Sequence, residues 1–388
     1  MPTGHASANE ARWRGAVAVL DRLRREPGST RAALARDLGL ASGTATEITA
    51  RLRELDLVTE TAAAASGRGR PTSVLGPHPA GPLVLVAEIR HEDWRVGVAG
   101  LDGRVAVLDA DRHAHRPAAV LRAVAAVADG AVDRWGRRVR AVSVVVAATV
   151  RDGRLVQAST LGWGPVDLTA LAPPRGLPLL VGNDATLAGV AEARSGAAAG
   201  AGTALHLTVE VGIGGTLVVD GRPVAGATGA GGEFGHLPFG DPALRCPCGA
   251  RGCWDLEVDG RAVARHLGEP PPEDPRSHLR AALARPGARD AVERITRALG
   301  TGTAGLVNAL DPEVVTLGGL AGPLRRHARA AFDAAFADGL MAFRRAAPPA
   351  VRDAVHGDDG ALHGAAAVGL DEVISERGLA AWAADRAG

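Results

Sequence analysis

The segment from Gly231 to Cys253 constrains this chain more than any other. It holds all three cysteines, Cys246, Cys248 and Cys253, and His236 lies just upstream in Glu233-Phe-Gly-His236. Three thiolates and an imidazole form the set that suits a closed, tetrahedral structural zinc site. Cys-x-Cys and a third cysteine, separated by Gly-Ala-Arg-Gly, make a tight knuckle able to wrap one ion. Two competing readings are three buried metal-free thiols and a disulfide. A disulfide leaves one thiol over and needs an oxidising compartment.

Gly231-Gly-Glu-Phe-Gly-His236 through Cys-x-Cys-Gly-x-x-Gly-Cys253 resembles the signature of the ROK family of repressors, open reading frames and sugar kinases. The resemblance implies an α/β fold over roughly residues 80–388. That fold is the two-lobed, actin-like (ribonuclease H-like) sugar kinase architecture, which binds sugar and nucleotide in the cleft between its lobes.

The 388 residues allow two or three domains, and an apolar fraction of 46% is ample for a sizeable core. A formal net charge of +1 gives no global push toward nucleic acid or membrane, so any DNA binding must come from a local basic surface. The N-terminus lacks a charged-then-apolar secretory pattern. The most apolar run, Ala141 to Val150, is too short to span a bilayer and reads as a buried strand. The expectation is a soluble, cytoplasmic protein without a membrane partner, a setting that keeps thiols reduced.

Residues near 10–60 read as three helices. The first carries Trp13, Val17, Leu20 and Leu23 at helical spacing, and Pro27-Gly28 breaks it. Ser29 is the expected cap of the second, and Gly39 its C′ residue. The third has Ile48, Leu52 and Leu55 on its inner face and offers Ser42, Thr44, Thr46 and Thr49 outward, with Arg51 and Arg53. Helix, short turn, helix is the helix-turn-helix plan, with its second member as the reader. Two short strands around Ser66-Gly-Arg-Gly-Arg-Pro-Thr72 then make a wing. Arg68 and Arg70 on a Gly-permitted tip suit a narrow minor groove. Residues 1–75 hold eleven Arg against eight Asp and Glu. A small helical interaction domain is the bland alternative. The arrangement also resembles the winged helix-turn-helix of ROK repressors, Gly-Arg-Gly-Arg-Pro included.

Gly76-Pro-His-Pro-Ala-Gly-Pro82 reads as a linker. The expected organisation is a winged domain over residues 1–76, a linker over 77–82 and a sugar-binding domain over 83–388, its lobes dividing near 182/183. Strands are expected at 83–89, 95–99, 104–108, 139–146, 179–181, 203–209, 215–219 and 314–317. Helices are expected around Val120–Val132, at 184–194, after Leu256 and after Asp290.

Asn183-Asp184 ends a strand and opens a helix. A carboxylate there can accept a proton from a sugar hydroxyl as general base, or simply cap the helix. The resemblance assigns the catalytic-base position to Asp184 and places Asn183 beside it. It also implies that Glu233 accepts from sugar hydroxyls and that His236 ligates zinc through one ring nitrogen. Asp255 stands where the family usually shows Glu. Ser159-Thr-Leu-Gly-Trp163 resembles the loop that closes over the sugar, although Trp163 is equally a core residue. ATP-binding relatives open the α/β lobe with Asp-x-Gly-x-Thr. Here the match is Glu88-Ile-Arg-His-Glu92, with Arg90 at the glycine position and Asp93 following. The tight glycine turn is lost, and like charges crowd the place of a triphosphate. Glycine turns survive at Gly212, Gly214 and Gly215 and at Gly318-Gly319, each a weak signal alone.

The leading expectation is a sugar-responsive repressor of carbohydrate genes, binding an inverted-repeat DNA operator as a homodimer or homotetramer. Its effector is a small sugar or sugar phosphate, and its zinc is structural. The alternative is a sugar kinase with a DNA-binding appendage, for which ATP and Mg²⁺ are needed. A third reading replaces the small ligand by a partner protein.

Overall fold

The computed structural model describes residues 13–62, 73–151, 154–158, 161–172 and 176–387. Three helices come first: α1 (Arg14–Arg25), α2 (Arg31–Asp37) and α3 (Ser42–Glu54). Trp13, Ala16, Leu20 and Leu23 line one buried face of α1. Thr30, not Ser29, caps α2: its Oγ1 accepts from the Ala33 N–H at 3.1 Å. Ser29 is spent on the preceding turn, donating to the Glu26 carbonyl at 2.8 Å. Gly39 takes the left-handed C′ position with φ +63°.

The inward stripe of α3 is Ala45, Thr49 and Leu52, with Ile48 and Leu55 half-buried. The outward placement expected of Thr49 is therefore corrected. Thr49 is 1% exposed, and its hydroxyl donates to the Ala45 carbonyl at 2.8 Å. It lies one turn beyond Ala45 on the same face, and this back-bond satisfies its hydroxyl in the core. Ser42, Thr44 and Thr46 are exposed. The Arg51 guanidinium lies 3.7 Å over the Trp13 ring. Strands β1 (Val58–Ala62) and β2 (Ser73–Pro77) pair antiparallel. The tip between them, with Arg68 and Arg70, falls outside the described residues.

Next come β3 (Leu83–Ile89), β4 (Asp93–Ala99), β5 (Val105–Arg112), α4 (Pro117–Trp135) and β6 (Val139–Val146). The hairpin β7 (Thr149–Arg151) and β8 (Arg154–Gln157) precedes β9 (Leu179–Asn183). One five-stranded sheet runs β5-β4-β3-β6-β9. Its inner strands β3 and β6 are buried almost residue by residue, the pattern of strands covered on both faces. Helix α5 (Asp184–Ser195) leads to β10 (Thr203–Val209), β11 (Ile213–Val219) and β12 (Arg222–Pro223). A helical block follows: α6 (Asp255–Val258), α7 (Gly260–Leu267), α8 (Pro275–Leu283) and α9 (Arg289–Leu310). The chain continues through β13 (Val314–Gly319), α10 (Ala321–His327), α11 (Arg329–Gly339), α12 (Ala342–Ala346) and β14 (Ala350–Asp353). It ends in α13 (Gly360–Val373) and α14 (Glu376–Ala387). The second sheet runs β12-β11-β10-β13-β14, parallel from β10 to β14.

These elements pack as two compact units. One takes in Met1–Val145, Asp167–Val181 and Ala365–Gly388; the other takes in Val146–Val166 and Gly182–Gly364. In the first unit the C-terminal helix returns to the winged segment. Trp382, 3% exposed, donates its indole N–H to the Leu55 carbonyl at 2.8 Å, filling an orphan acceptor at the end of α3. Arg386 reaches the Asp56 carboxylate at 2.5 Å, and Arg24 reaches Asp371 at 3.2 Å. Arg140 of β6 pairs with Asp385. The Pro-rich segment before β3 is likewise tied down, since Arg138 donates to the Pro79 carbonyl at 2.6 Å and the Gly81 carbonyl at 3.0 Å.

The second unit buries a histidine. His206 on β10 is 2% exposed, with Nδ1 2.9 Å from Thr316 Oγ1 and Nε2 lacking a hydrogen-bond partner. Burial lowers its pKa to about 4, partly opposed by Glu192. The folded state thus binds the proton more weakly than the unfolded state does. The stability from His206 is complete above pH 6.5 and is lost as pH falls toward 4, by about 3 kcal/mol. Urea unfolding at pH 7 and pH 4.5 measures it. His206→Gln should flatten the part of the pH dependence that this residue carries, and an identical slope in wild type and variant would refute the assignment.

Candidate functional site

The cysteine knuckle is shaped by its backbone. The Cys246 N–H donates to the Ala250 carbonyl at 2.9 Å, and Gly249 at φ +99° makes the reversal that a side chain would resist. Trp254, directly after Cys253, anchors the knuckle to α9. Its indole N–H donates to the Ala298 carbonyl at 3.0 Å, and its ring lies so close to Gly302 that a Cβ there would sit 2.2 Å away.

His236 reaches the knuckle from a short 3₁₀ turn, Phe234–His236. The ligand atoms of His236, Cys246, Cys248 and Cys253 all lie within 4.8 Å of one another. The Cys248 and Cys253 sulfurs are 3.6 Å apart, and His236 Nδ1 is 3.8 Å from Cys246 Sγ. A tetrahedral zinc with ordinary bond lengths sets S···S at about 3.8 Å and N···S at about 3.6 Å. All three thiols are free, not disulfide-bonded. Burial, helped by the neighbouring thiols, pushes the Cys253 thiol up to about 12, and burial raises Cys246 as well. A cation among these sulfurs reverses that balance by favouring thiolates. The donor set therefore fits a metal ion.

Around this cluster lie the carboxylates. Asp255 Oδ2 is 3.5 Å from His236 Nδ1, and Glu233 Oε2 is 3.8 Å from His236 Nε2. Asp255 is buried, and its Oδ1 accepts from the Ile213 N–H at 2.6 Å. Burial raises its pKa, with that backbone bond and His236 opposing. Gly235 permits this packing: a Cβ there would stand 2.0 Å from Asp255 Oδ1. Glu233 is exposed, and its Oε1 accepts from the Thr149 hydroxyl at 2.6 Å. Thr149 lies 84 positions upstream, and no local pattern marks it in sequence.

Asn183 is the N-cap of α5. Its side-chain oxygen accepts from the Thr186 N–H at 3.0 Å, and its amide donates to the Ala148 carbonyl at 3.2 Å. Asp184 is the first residue of the helix and accepts from the Ala185 N–H at 2.8 Å. Trp163 is 6% exposed and packs into the core.

In the first unit, the β3–β4 hairpin is knitted by ion pairs. Glu88, 3% exposed, takes Arg95 at 2.5 Å. Arg90 grips Asp93 with two bonds of 2.6 and 2.7 Å, and Arg112 reaches Glu92 at 2.9 Å. In the second unit, Gly212 takes part in the β10–β11 turn, where the Glu210 N–H donates to the Gly212 carbonyl at 2.9 Å. Gly214 and Gly215 are packing positions, against Ala185 and the His206 carbonyl. Gly318 and Gly319 end β13, Gly318 against the His206 ring and Gly319 next to Glu210, whose carboxylate is ion-paired to Arg276. A cavity of about 400 Å³ borders Gly319, lined by Arg280, Leu283, Leu320, Pro323 and Asp358. Glu210 and Arg276 were not marked by sequence reasoning, which read only the glycines of that turn.

Residues 95–372 match the ROK family. The glucokinase of Streptomyces coelicolor is 29% identical over 226 residues, spanning 52% of this chain and 71% of that enzyme. The xylose repressor of Bacillus subtilis is 25% identical over 170 residues, 43% of this chain and 44% of the repressor. Among solved structures, a ROK family transcriptional regulator, a homologue of the Escherichia coli MLC protein, superposes with a TM-score of 0.74. It is 23% identical and covers 94% of this chain and 97% of its own, a likeness of fold. No helix among the described residues is long and apolar enough to cross a membrane. A winged helix-turn-helix segment joined to the two-lobed sugar kinase fold, with a match over most of that fold, establishes that the chain belongs to the ROK family.

Proposed function

We propose that the chain is a sugar-responsive, DNA-binding transcriptional regulator that represses carbohydrate genes. The observation that carries this reading is the β3–β4 hairpin. A triphosphate needs close backbone approach and unspent cations or N–H groups. This hairpin has Arg90 in place of the glycine, with Arg90 held against Asp93 and Arg95 against Glu88, while Glu92 takes Arg112 of β5. Loss of the phosphate grip, with an exposed Ser42, Thr44 and Thr46 on a reading helix, favours sensing over catalysis.

His236, Cys246, Cys248 and Cys253 would hold a structural zinc, which supplies rigidity to the loop that carries Glu233. Glu233 accepts from sugar hydroxyls, and Asp184 takes a hydrogen bond from another. Asn183 and Asp255 position these groups by capping α5 and by buttressing His236. The sugar acts by binding the DNA-competent and released states with different affinity, which is what an effector requires. The operator is a duplex inverted repeat, gripped by a homodimer or homotetramer. The protein is cytoplasmic in this reading.

A second reading, an ATP-dependent hexose or amino-sugar kinase, is favoured by one observation: Asn183 supplies the helix cap, so Asp184 is not needed for it. The two are separated by assaying zinc-loaded protein with ATP and a panel of hexoses and amino sugars. No turnover, together with a melting temperature raised by one sugar, is the expected result. That sugar should weaken operator binding by wild type and leave Asp184→Ala bound to DNA. Turnover on any sugar would put the kinase reading ahead, and a normal sugar response in Asp184→Ala would remove the carboxylate from the site.

A further inference from the structure

We infer that Glu60 is a positioning residue for DNA recognition, a single carboxylate that sets the wing against the reading helix. The inference rests on the DNA-binding reading above. Glu60 lies in the middle of β1, opposite Leu75 of β2. Arg31 Nη2 donates to both of its oxygens, at 3.0 and 3.1 Å. Arg53 Nη1 donates at 3.3 Å, and the Ser73 hydroxyl donates at 2.5 Å. These donors come from three elements: the first residue of α2, the last turn of α3, and β2.

An isolated surface ion pair contributes about 0–1 kcal/mol, and a single Arg–Glu contact here would deserve no more. Glu60 differs by gathering several donors, with its side chain only 19% exposed. The Ser73 hydroxyl first, and then the two guanidinium groups, hold its carboxyl below the usual range against the opposing effect of burial. A two-stranded ribbon has little stability of its own, so its direction is set by what it is tied to. Backbone bonds tie its base to the α1–α2 turn, through Leu75 N to Ser29 O at 2.9 Å and Gly28 N to Leu75 O at 3.2 Å. The start of β1 is held to α3 by Leu57 N to Leu52 O at 2.8 Å, and the Arg53–Glu60 contact adds a side-chain tie to α3 farther along the strand.

The consequence falls on specificity. A reading helix and a wing that engage neighbouring grooves bind together only if their separation matches the duplex. Without Glu60 each element still reaches DNA, but the pair no longer registers. Random DNA demands no such register. The same change also unmasks Arg31 and Arg53 for phosphate contacts, which are not sequence-selective.

The test uses full-length, zinc-loaded protein and a 30-bp duplex enriched from a random pool by the wild type (about three helical turns, enough for two half-sites). Affinities for that duplex and for its scrambled version are measured at one salt concentration. Glu60→Gln should lower the enriched-to-scrambled ratio about 10-fold, the scale of a lost charge-assisted hydrogen bond. In a chain carrying Arg68→Ala and Arg70→Ala, it should lower the ratio no further. An unchanged ratio overturns the assignment, even if both affinities fall together, and so does an equal loss in the wing-tip background. If circular dichroism shows Glu60→Gln to be unfolded, Arg53→Met breaks the tie to α3 from the helix side and carries the test. A wild type that enriches no duplex refutes the DNA-binding reading itself, and Glu60's role with it.

Discussion

Cys248→Ser is expected to strip the metal from the purified protein, from about one zinc per chain to almost none, because a structural site is closed by four ligands. Structural zinc contributes about 10–16 kcal/mol of apparent binding energy in small peptides, so loss of one thiolate removes a large share of what holds the knuckle. The damage should stay local. Trp254 and α9 anchor the knuckle from behind, through the Ala298 bond and the Gly302 contact, and neither depends on Cys248. Glu233 is the exception, since it faces the cluster through His236 Nε2. Sugar affinity should therefore fall about 10- to 100-fold, the usual effect of disturbing a group one step from a metal. Metal analysis after gel filtration decides the matter, and a zinc content equal to wild type would exclude the assignment.

Trp382→Ala is expected to destabilise the first unit by about 3–5 kcal/mol, the range for truncating a buried aromatic side chain. It also leaves the Leu55 carbonyl without its donor at the end of α3. Amide exchange at residues 52–56 should accelerate, and operator affinity should drop with it. Zinc content and sugar binding, whose proposed residues lie in the other unit, should be retained. Trp382→Phe separates the two contributions, keeping most of the packing and losing only the N–H, for about 1 kcal/mol. Wild-type exchange rates in Trp382→Ala would show that the C-terminal helix lies against α3 without supporting it.

Patterns confined to a few residues were the ones most easily read from the sequence. The three N-terminal helices, the buried strands at 83–89 and 139–146, and the Gly39 C′ position follow from periodicity and backbone preference. The cysteine knuckle was legible because few chemistries use three thiols and an imidazole at that spacing. Thr49 was misplaced because hydroxyl side chains were assigned to the outer face by polarity, and its bond to the Ala45 carbonyl lets it lie inside. Ser29 and Thr30 are adjacent and chemically equivalent as caps, and only the folded turn shows that the Ser29 hydroxyl goes to the Glu26 carbonyl and leaves Thr30 as the cap. Contacts between distant segments left no such trace. Thr149 with Glu233, Arg276 with Glu210 and Trp382 with Leu55 are pairings that only the tertiary fold makes. The residues of the β3–β4 hairpin were identified, but their mutual neutralisation needed the cross-strand register.

The return of α14 to the end of α3 also bears on when the protein becomes competent. Leu55 and Trp382 are separated by 327 positions, which a ribosome translating about 5–20 residues per second needs roughly 15–65 s to cover. Throughout that interval the emerged winged segment lacks its last support, while the entire second unit is being made. Under the proposed role, a prematurely terminated chain is thus a poor DNA binder, and the cell is spared a repressor that cannot hear its signal.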